Sequence, residues 1–333
     1  LRARDASDPA EKTPRNARIG ERLHEGAQID VRVVTDAFAD KGPRVARVTP
    51  ANDSRTVPAC LEPPPSPVAL VLERFAAARP GRIVCGDGAI ETAARTWAVE
   101  NNPELDGAIM RGSGDLFAEH GVEEAIEVAL SRRVRIAGGV ELVFDTAEAM
   151  CVIDINSGGA PGKSGRAGRD VNLKAMPEIA RQLRLRNIAG AIVIDALKMG
   201  ERDNRNQVLS ALRNALKDDP GACHVLGITN LGLIEMTRTR TGVSLADRML
   251  SPAASTELSA DAAAYAALRV ALRAAAATPS GGYRLLVSPA VADALSGRLA
   301  GARDQAAQTV GRLDVVAEAD RMNERFEVVL GSG

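Results

Sequence analysis

Two short apolar runs that each end at an aspartate constrain the fold of this chain most strongly. The first run covers residues 149–155 and contains Asp154, and the second covers residues 191–194 and is followed directly by Asp195. A glycine-rich loop and a helix predicted to begin near Pro177 lie between them. Strand, loop, helix and strand in this order predict a βαβ-like crossover in a mostly parallel or mixed sheet, with the second strand buried on both faces.

Asp154 and Asp195 are the candidate metal ligands. If the two strands are parallel neighbours, both carboxylates fall at one edge of the sheet, with the strands about 4.8 Å apart. Carboxylate oxygens at that spacing suit one shared Mg²⁺, and Asn156 stands beside the first of them. The alternative is that each aspartate only caps the turn after its strand. The occurrence of the pair together with Asn156 favours the metal site.

Basic residues are concentrated in the same part of the chain, although the formal net charge of the whole chain is only −1. A bound metal surrounded by cations is the arrangement that phosphoryl chemistry requires, because the cations hold the phosphates. The alternative for each single arginine is a solvated helix face. The candidate phosphate contacts in this part are Lys163, Arg166, Arg169, Arg181, Arg184, Arg238 and Arg240.

Composition excludes several other classes of protein. Aromatic residues make up only 2% of the chain, so it has no broad platform for stacking bases and would hold a polynucleotide mainly through phosphates. No apolar run approaches the roughly 18 residues of a membrane span, and the amino end is charged, so we expect neither a span nor a signal peptide. The four cysteines form no CxxC pair, which predicts a reducing, cytoplasmic location and no zinc site.

Shifts in composition predict several domains. A proline-rich connector ends at Pro67, and the chain becomes alanine-rich after Pro252, where residues 261–277 are predicted to form one long helix. We therefore predict an α/β protein with a short amino-terminal β segment, two α/β units, a helical linker and a small α+β domain. The predicted segments are 1–57, 58–137, 138–250, 251–282 and 283–333.

The stretch from Val122 to Arg240 resembles the catalytic region of the ribonuclease E/G family of endoribonucleases. The matching strings occur in the family's order: DTAEAMCVIDINSG, then NL followed by EIARQLRLRNIAGAIVID, then GLIEMTRTR. The resemblance implies that Asp154 and Asp195 bind the metal and that Asn156 is the asparagine of the catalytic site.

The same resemblance implies a domain identity for each segment. Residues 138–250 would form a DNase I-like catalytic domain and residues 58–137 an RNase H-like domain. Residues 1–57 resemble part of an OB-type RNA-binding domain, in which Lys41 and Arg44 match the basic loop. Residues 283–333 would be the family's small carboxy-terminal domain.

The chain departs from the family pattern at three places. Lys198 stands where the family usually has an acidic residue, three positions after the second aspartate. The CPxC zinc link is missing between Arg240 and Tyr283, so we expect no zinc, and a homodimer would have to form without that link. The string RTAG, typical of the sensor for 5′-monophosphate, is also missing.

These observations predict a magnesium-dependent endoribonuclease that cleaves single-stranded RNA and leaves 5′-phosphate and 3′-hydroxyl ends. The alternative is a catalytically weakened RNA-binding protein that retains the ribonuclease fold. The presence of both aspartates together with Asn156 favours the enzyme.

Overall fold

The protein is described by a computed structural model that covers residues 18–21, 23–35, 42–49, 56–158, 165–251, 254–278 and 282–331. The chain forms two compact units, Leu1–Leu116 and Phe117–Gly333. Lys41 and Lys163 lie outside the described residues.

In the described part of the first unit there are two small sheets and two α-helices. Strands β1 and β2 pair antiparallel, whereas β3 and β4 pair parallel. Helix α1 is capped by Ser66 and α2 by Asp87, whose side chains accept backbone N–H groups of the first turns. Both helices pack on a core that includes Leu72 and Cys85. The elements are β1 (Val31–Thr35), β2 (Arg44–Arg47), α1 (Pro67–Phe75), β3 (Ile83–Cys85), α2 (Gly88–Asn101) and β4 (Ile109–Arg111).

A six-stranded mixed sheet dominates the second unit. Its elements are α3 (Leu116–Glu119), α4 (Val122–Leu130), β5 (Arg133–Arg135), β6 (Glu141–Thr146), β7 (Met150–Asn156), α5 (Gly165–Arg186), β8 (Gly190–Asp195), α6 (Arg202–Ala215), β9 (Cys223–Ile228) and β10 (Leu233–Arg238). The strand order is β5-β6-β7-β8-β10-β9. Only the pair β7 and β8 within this sheet is parallel, so the predicted mixed α/β sheet is confirmed.

Helices α5 and α6 cover one face of this sheet. Alternate residues of β7 and β8, such as Ile153 and Ile194, are fully buried against helix residues that include Ile179 and Leu212. The residues between them remain open to solvent, because side chains alternate between the two faces of a strand. The prediction that β8 is buried on both faces is therefore wrong. The helices cover one face of β8, and the other face, which includes Asp195, is open to solvent.

Helix α5 begins at Gly165, twelve residues before the predicted start near Pro177. Pro177 lies inside the helix on its exposed side, where its missing N–H and its ring cost about 3 kcal/mol. Buried residues at helical spacing, among them Ala175, Met176 and Ile179, continue through this point. Their burial outweighs the local cost, which is why proline does not mark the helix start here.

The remainder of the second unit is a small α+β module. Its elements are α7 (Leu245–Met249), β11 (Leu250–Ser251), β12 (Ala254–Leu258), α8 (Ala260–Ala277), β13 (Gly282–Val287), α9 (Pro289–Ser296), α10 (Ala300–Val310), β14 (Arg312–Ala317) and β15 (Glu327–Leu330). Helix α8 confirms the predicted long helix. Its alanine-lined face packs on Leu285 and Val287 of the central strand of the sheet β14-β13-β15. None of the described helices is both long and apolar enough to cross a membrane.

The five predicted segments remain a prediction, because the two compact units do not test them one by one. Strand β5 already belongs to the six-stranded sheet through its pairing with β6, although it precedes residue 138.

Candidate active site

Asp154 and Asp195 are direct partners in the only parallel strand pair of the six-stranded sheet. Their backbones are therefore about 4.8 Å apart, and both side chains emerge on the same face, opposite α5 and α6. Asp154 is half-buried and Asp195 is exposed. The predicted juxtaposition of the two carboxylates at the carboxyl ends of neighbouring strands is confirmed.

Asn156 orients the first carboxylate. Its Nδ2 donates a hydrogen bond of 2.7 Å to Oδ2 of Asp154, since residues two apart on a strand share a face. Among the described residues, no other side chain forms a hydrogen bond or ion pair with either carboxylate. Most of the acceptor capacity of the pair is thus open to solvent.

This donor set fits a magnesium ion. Mg²⁺ binds through one or two carboxylates and keeps several waters, which substrate phosphates can replace. Within the described part of the chain, no group of three or more His, Cys, Asp or Glu side chains could enclose a metal. Two carboxylates at an open sheet edge match a cation whose remaining ligands are water and phosphate rather than protein.

A close contact between two glycines shapes the edge beside the carboxylates. Gly158 follows β7 with a φ of +60°, and a Cβ there would lie 1.7 Å from the carbonyl oxygen of Gly139. Only glycine permits this approach, which holds the end of β7 against the β5–β6 turn. Lys174 of α5 approaches the same turn: its Nζ lies 3.5 Å from where a Cβ of Gly138 would be. Sequence reasoning missed this cation.

The loop after β8 is held by Asn172, a second residue that sequence reasoning missed. The Asn172 amide accepts the Leu197 N–H at 3.0 Å and donates to the Leu197 carbonyl at 2.9 Å. Gly168, one turn earlier on α5, leaves room for the Lys198 carbonyl, which would lie 2.6 Å from a Cβ at that position. Exposed Lys198 therefore stands on an anchored loop, three residues after Asp195.

The position of Asn172 on the apolar face of α5 indicates its role. Asn172 is completely buried and stands three and four residues before Ala175 and Met176, on the apolar face of α5. A polar residue at such a position requires hydrogen-bond partners, and here it finds them in the loop that carries Lys198.

Arg169 is the predicted phosphate contact that the structure places at this edge. It lies on the first part of α5, next to Gly168, and its Nη1 donates to Oδ1 of Asn204 at 3.4 Å. Its Nε and Nη2 also donate to the carboxylate of Asp170. The guanidinium is therefore held in one position, with part of its charge balanced by Asp170.

Arg181 and Arg184 lie far from the aspartates. Both are near the end of α5, about 20 Å or more along the helix axis from Gly168. Arg181 pairs with Glu178, and Arg184 donates to the carbonyl of Ala215 at the end of α6. The structure does not bring these two arginines together with the carboxylate pair.

The prediction that Arg238 contacts RNA is wrong. Arg238 pairs with Gly190 at the opposite end of β8 from Asp195, about 17 Å along the strand. Its side chain is fully buried in an ion pair with Asp219, which is also fully buried. A guanidinium enclosed in this way is unavailable to a phosphate. Arg240 follows two residues later at the same far end and is exposed.

The remaining predicted contacts stay predictions. Arg166 belongs to the first turns of α5, and Arg44 begins β2 in the first unit. Lys41 and Lys163 fall outside the described residues.

Comparison with known proteins points to one family. The model of the Ribonuclease E/G family matches residues 26–241. Ribonuclease G of Salmonella typhimurium (strain SL1344) and of Escherichia coli (strain K12) are each 33% identical over 270 residues, which cover 78% of this chain and 55% of the relative. Ribonuclease E of E. coli (strain K12) is 36% identical over 162 residues, 47% of this chain and 15% of the relative. The chain thus spans about half the length of the ribonuclease G relatives.

Proposed function

The chain belongs to the ribonuclease E/G family, and from that premise we propose that it is a magnesium-dependent endoribonuclease of single-stranded RNA. Its products would carry 5′-phosphate and 3′-hydroxyl ends. The observation that carries the proposal is the register pairing of Asp154 with Asp195 on parallel strands. Sequence identity of 33%, over an alignment that covers 78% of this chain, to proteins named Ribonuclease G supports it.

Asp154 and Asp195 are the residues that would hold the magnesium ion. When bound, the ion supplies activation of water and neutralisation of developing phosphate charge. Asn156 keeps the Asp154 carboxylate in one orientation through its 2.7 Å hydrogen bond. The anchored loop after β8 keeps Asp195 at the end of its strand, because Asn172 ties Leu197 to α5.

The cations at the same edge would hold the RNA backbone. Lys198 lies on the loop three residues after Asp195, Lys174 approaches the β5–β6 turn beside the end of β7, and Arg169 follows Gly168, which lies against the Lys198 carbonyl. Lys198 cannot ligate a cation as an acidic residue would, but its ammonium suits a phosphate oxygen. Lys41, Arg44, Lys163 and Arg166 remain proposed contacts. Arg181, Arg184 and Arg240 could only contact RNA well away from the carboxylate pair.

The finer architecture is part of the same proposal. We assign a partial OB-type segment to residues 1–57, an RNase H-like domain to 58–137, a DNase I-like domain to 138–250 and the small terminal domain to 283–333. Family membership and the mixed sheet support these assignments. We also propose a cytoplasmic location and a possible homodimer formed without zinc.

A cleavage assay tests the proposal directly. Labelled single-stranded RNA is incubated with the wild-type protein and with Asp195→Asn, in magnesium or in EDTA. We expect internal cleavage in magnesium only, reduced about 10³-fold or more in Asp195→Asn, because a metal contributes several kcal/mol to stabilising the transition state. Asp145→Asn is the control, since this exposed carboxylate lies near the far end of β6. Unchanged cleavage by Asp195→Asn would exclude the mechanism.

Lys198 supports a second candidate function, that of an RNA-binding protein with little or no activity. A cation three residues after Asp195 adds positive charge near the metal ligands and disfavours a second cation there. In this case the wild-type protein would retard RNA in a gel without magnesium and leave it intact with magnesium. Replacing Lys198 by Glu would then increase cleavage.

A further inference from the structure

We propose that Leu231, at the tip of the turn between β9 and β10, packs against a nucleotide base of the RNA close to the scissile phosphate. The inference rests on the proposed function and adds a residue that positions the substrate. Asp154 and Asp195 would face the phosphate through the metal, whereas Leu231 would contact the base.

Leu231 is unusually exposed. The residue is 86% accessible, the highest value among the large hydrophobic residues that the structure describes; Leu226 follows at 66%. A single exposed leucine is common on protein surfaces and by itself indicates nothing. Two further observations indicate a role for Leu231: the turn that carries it is ordered, and this turn lies at the same sheet edge as the aspartates.

The turn that carries Leu231 is closed by three hydrogen bonds. Thr229 N–H donates to the Leu233 carbonyl at 2.9 Å, and Gly232 N–H donates to the Thr229 carbonyl at 3.0 Å. Leu233 N–H donates to Oγ1 of Thr229 at 3.2 Å. Gly232 adopts a φ of +93°, which favours glycine. Leu231 is thus presented by an ordered backbone, and little entropy is lost when a ligand contacts it.

The turn lies at the same edge of the sheet as the carboxylate pair. Leu233, the first residue of β10, is the register partner of Asp195. Leu231 is two residues further along the turn, so its Cα lies within about 12 Å of the Cα of Asp195. A nucleotide whose phosphate reaches the aspartates would place its own base, or that of a neighbour, within reach of Leu231.

The chemistry of a base suits this side chain. A base has an apolar face, and proteins insert leucine, isoleucine or methionine beside bases as wedges that partly unstack them. Aromatic residues, the usual stacking partners, make up only 2% of this chain. Lys198, three residues after Asp195 on the loop that follows β8, favours a nucleic acid over an apolar protein surface as the occupant, because it would attract the phosphates of the same strand.

The test compares Leu231→Ala with the control Leu226→Ala, which removes another exposed leucine further along β9. The substrates are a single-stranded RNA with one cleavage site and a series in which one nucleotide near that site is abasic. We expect Leu231→Ala to lower kcat/KM on intact RNA roughly fivefold to twentyfold, with Leu226→Ala unchanged and Leu231→Met close to wild type. Because Leu231 is exposed, the Tm of the variant should match that of the wild type.

The abasic series identifies the contact. At one abasic position, wild type and Leu231→Ala should become equal, since the partner of the leucine is gone; the other positions should keep the difference. Equal kcat/KM for both proteins on intact RNA would overturn the inference and leave the endoribonuclease proposal standing. A changed oligomeric state in light scattering, with the same loss at every abasic position, would also overturn it and indicate a protein contact. Absence of cleavage by the wild type in magnesium would overturn the proposed function and this inference together.

Discussion

The two ends of the six-stranded sheet both hold pairs of charged residues, but they use them in opposite ways. At one end, Asp154 and Asp195 stand side by side, the first half-buried and the second exposed. At the other end, Arg238 and Asp219 form a fully buried ion pair. The comparison shows that a charged group is available to a substrate where the fold leaves it accessible to solvent, and not where the fold encloses it in a buried ion pair.

The far end is closed by an ion pair and several hydrogen bonds. Arg238 donates from Nε to Asp219 and from Nη1 to the side chain of Asn187 and the carbonyl of Ile188. Asp219 also accepts the Gly221 N–H at 2.8 Å. A buried pair of this kind adds little net stability over apolar residues, but removal of one partner leaves an uncompensated charge. Its role is to join the end of β10 to the end of α5 and to the loop after α6.

The strongest way to test the contrast is to break the buried pair. We expect Arg238→Met to lower the free energy of unfolding by about 3–5 kcal/mol, because Asp219 is left buried and charged. Urea denaturation measures this change. Arg135→Met, which removes an arginine with an 88% exposed side chain on β5, should change it by less than about 1 kcal/mol. If the Arg238→Met protein has normal stability but no longer binds RNA, the buried-pair interpretation is wrong, and the RNA contact predicted from sequence is supported.

A smaller effect is expected for Asn172, which anchors the loop after Asp195 to α5. Asn172→Leu removes both hydrogen bonds to Leu197 and should lower the free energy of unfolding by about 2–3 kcal/mol, the cost of buried groups without partners. Cleavage should fall more than RNA binding, because the loop after Asp195 loses its anchor.

Urea denaturation and the split between kcat and KM check this prediction. Asn214→Leu on the exposed side of α6 is the control and should lie within about 0.5 kcal/mol of wild type. If Asn172→Leu changes only KM, the open end does not depend on this anchor.

The smallest effect concerns Asp145, an exposed carboxylate near the far end of β6. Hydrogen bonds from Arg132 hold the pKa of Asp145 below its ordinary value. A lowered pKa in the folded state gives stability that is present above the unfolded pKa of about 3.9 and is lost as the pH falls through the folded pKa.

Asp145→Asn should therefore lower the Tm slightly near neutral pH and make it depend less on pH below about pH 4. Added salt should reduce the difference, because the pair is exposed. Thermal denaturation over a pH series measures it. A large, salt-independent loss of Tm would show that exposure does not separate weak from strong charge pairs in this sheet.

The two central strands of the sheet were predictable from local sequence patterns. The apolar runs of β7 and β8 predicted two strands whose ends carry Asp154 and Asp195, and the structure pairs them in register. The start of α5 was not predictable from Pro177, because packing of a whole helix face outweighs one proline. Asn172 was missed because its partners, the backbone groups of Leu197, come from a loop 25 residues away.

The sequence alone determined the family, the two central strands β7 and β8 and the aspartates near their ends, because these depend on residue order and on short apolar runs. The tertiary structure alone decided which cations can serve a substrate. Arg169 and Arg238 look alike in sequence, yet the first is partly exposed beside the loop after β8 and the second is buried at the far end. Distance and desolvation separate them, and both arise only when α5, α6 and β10 pack together.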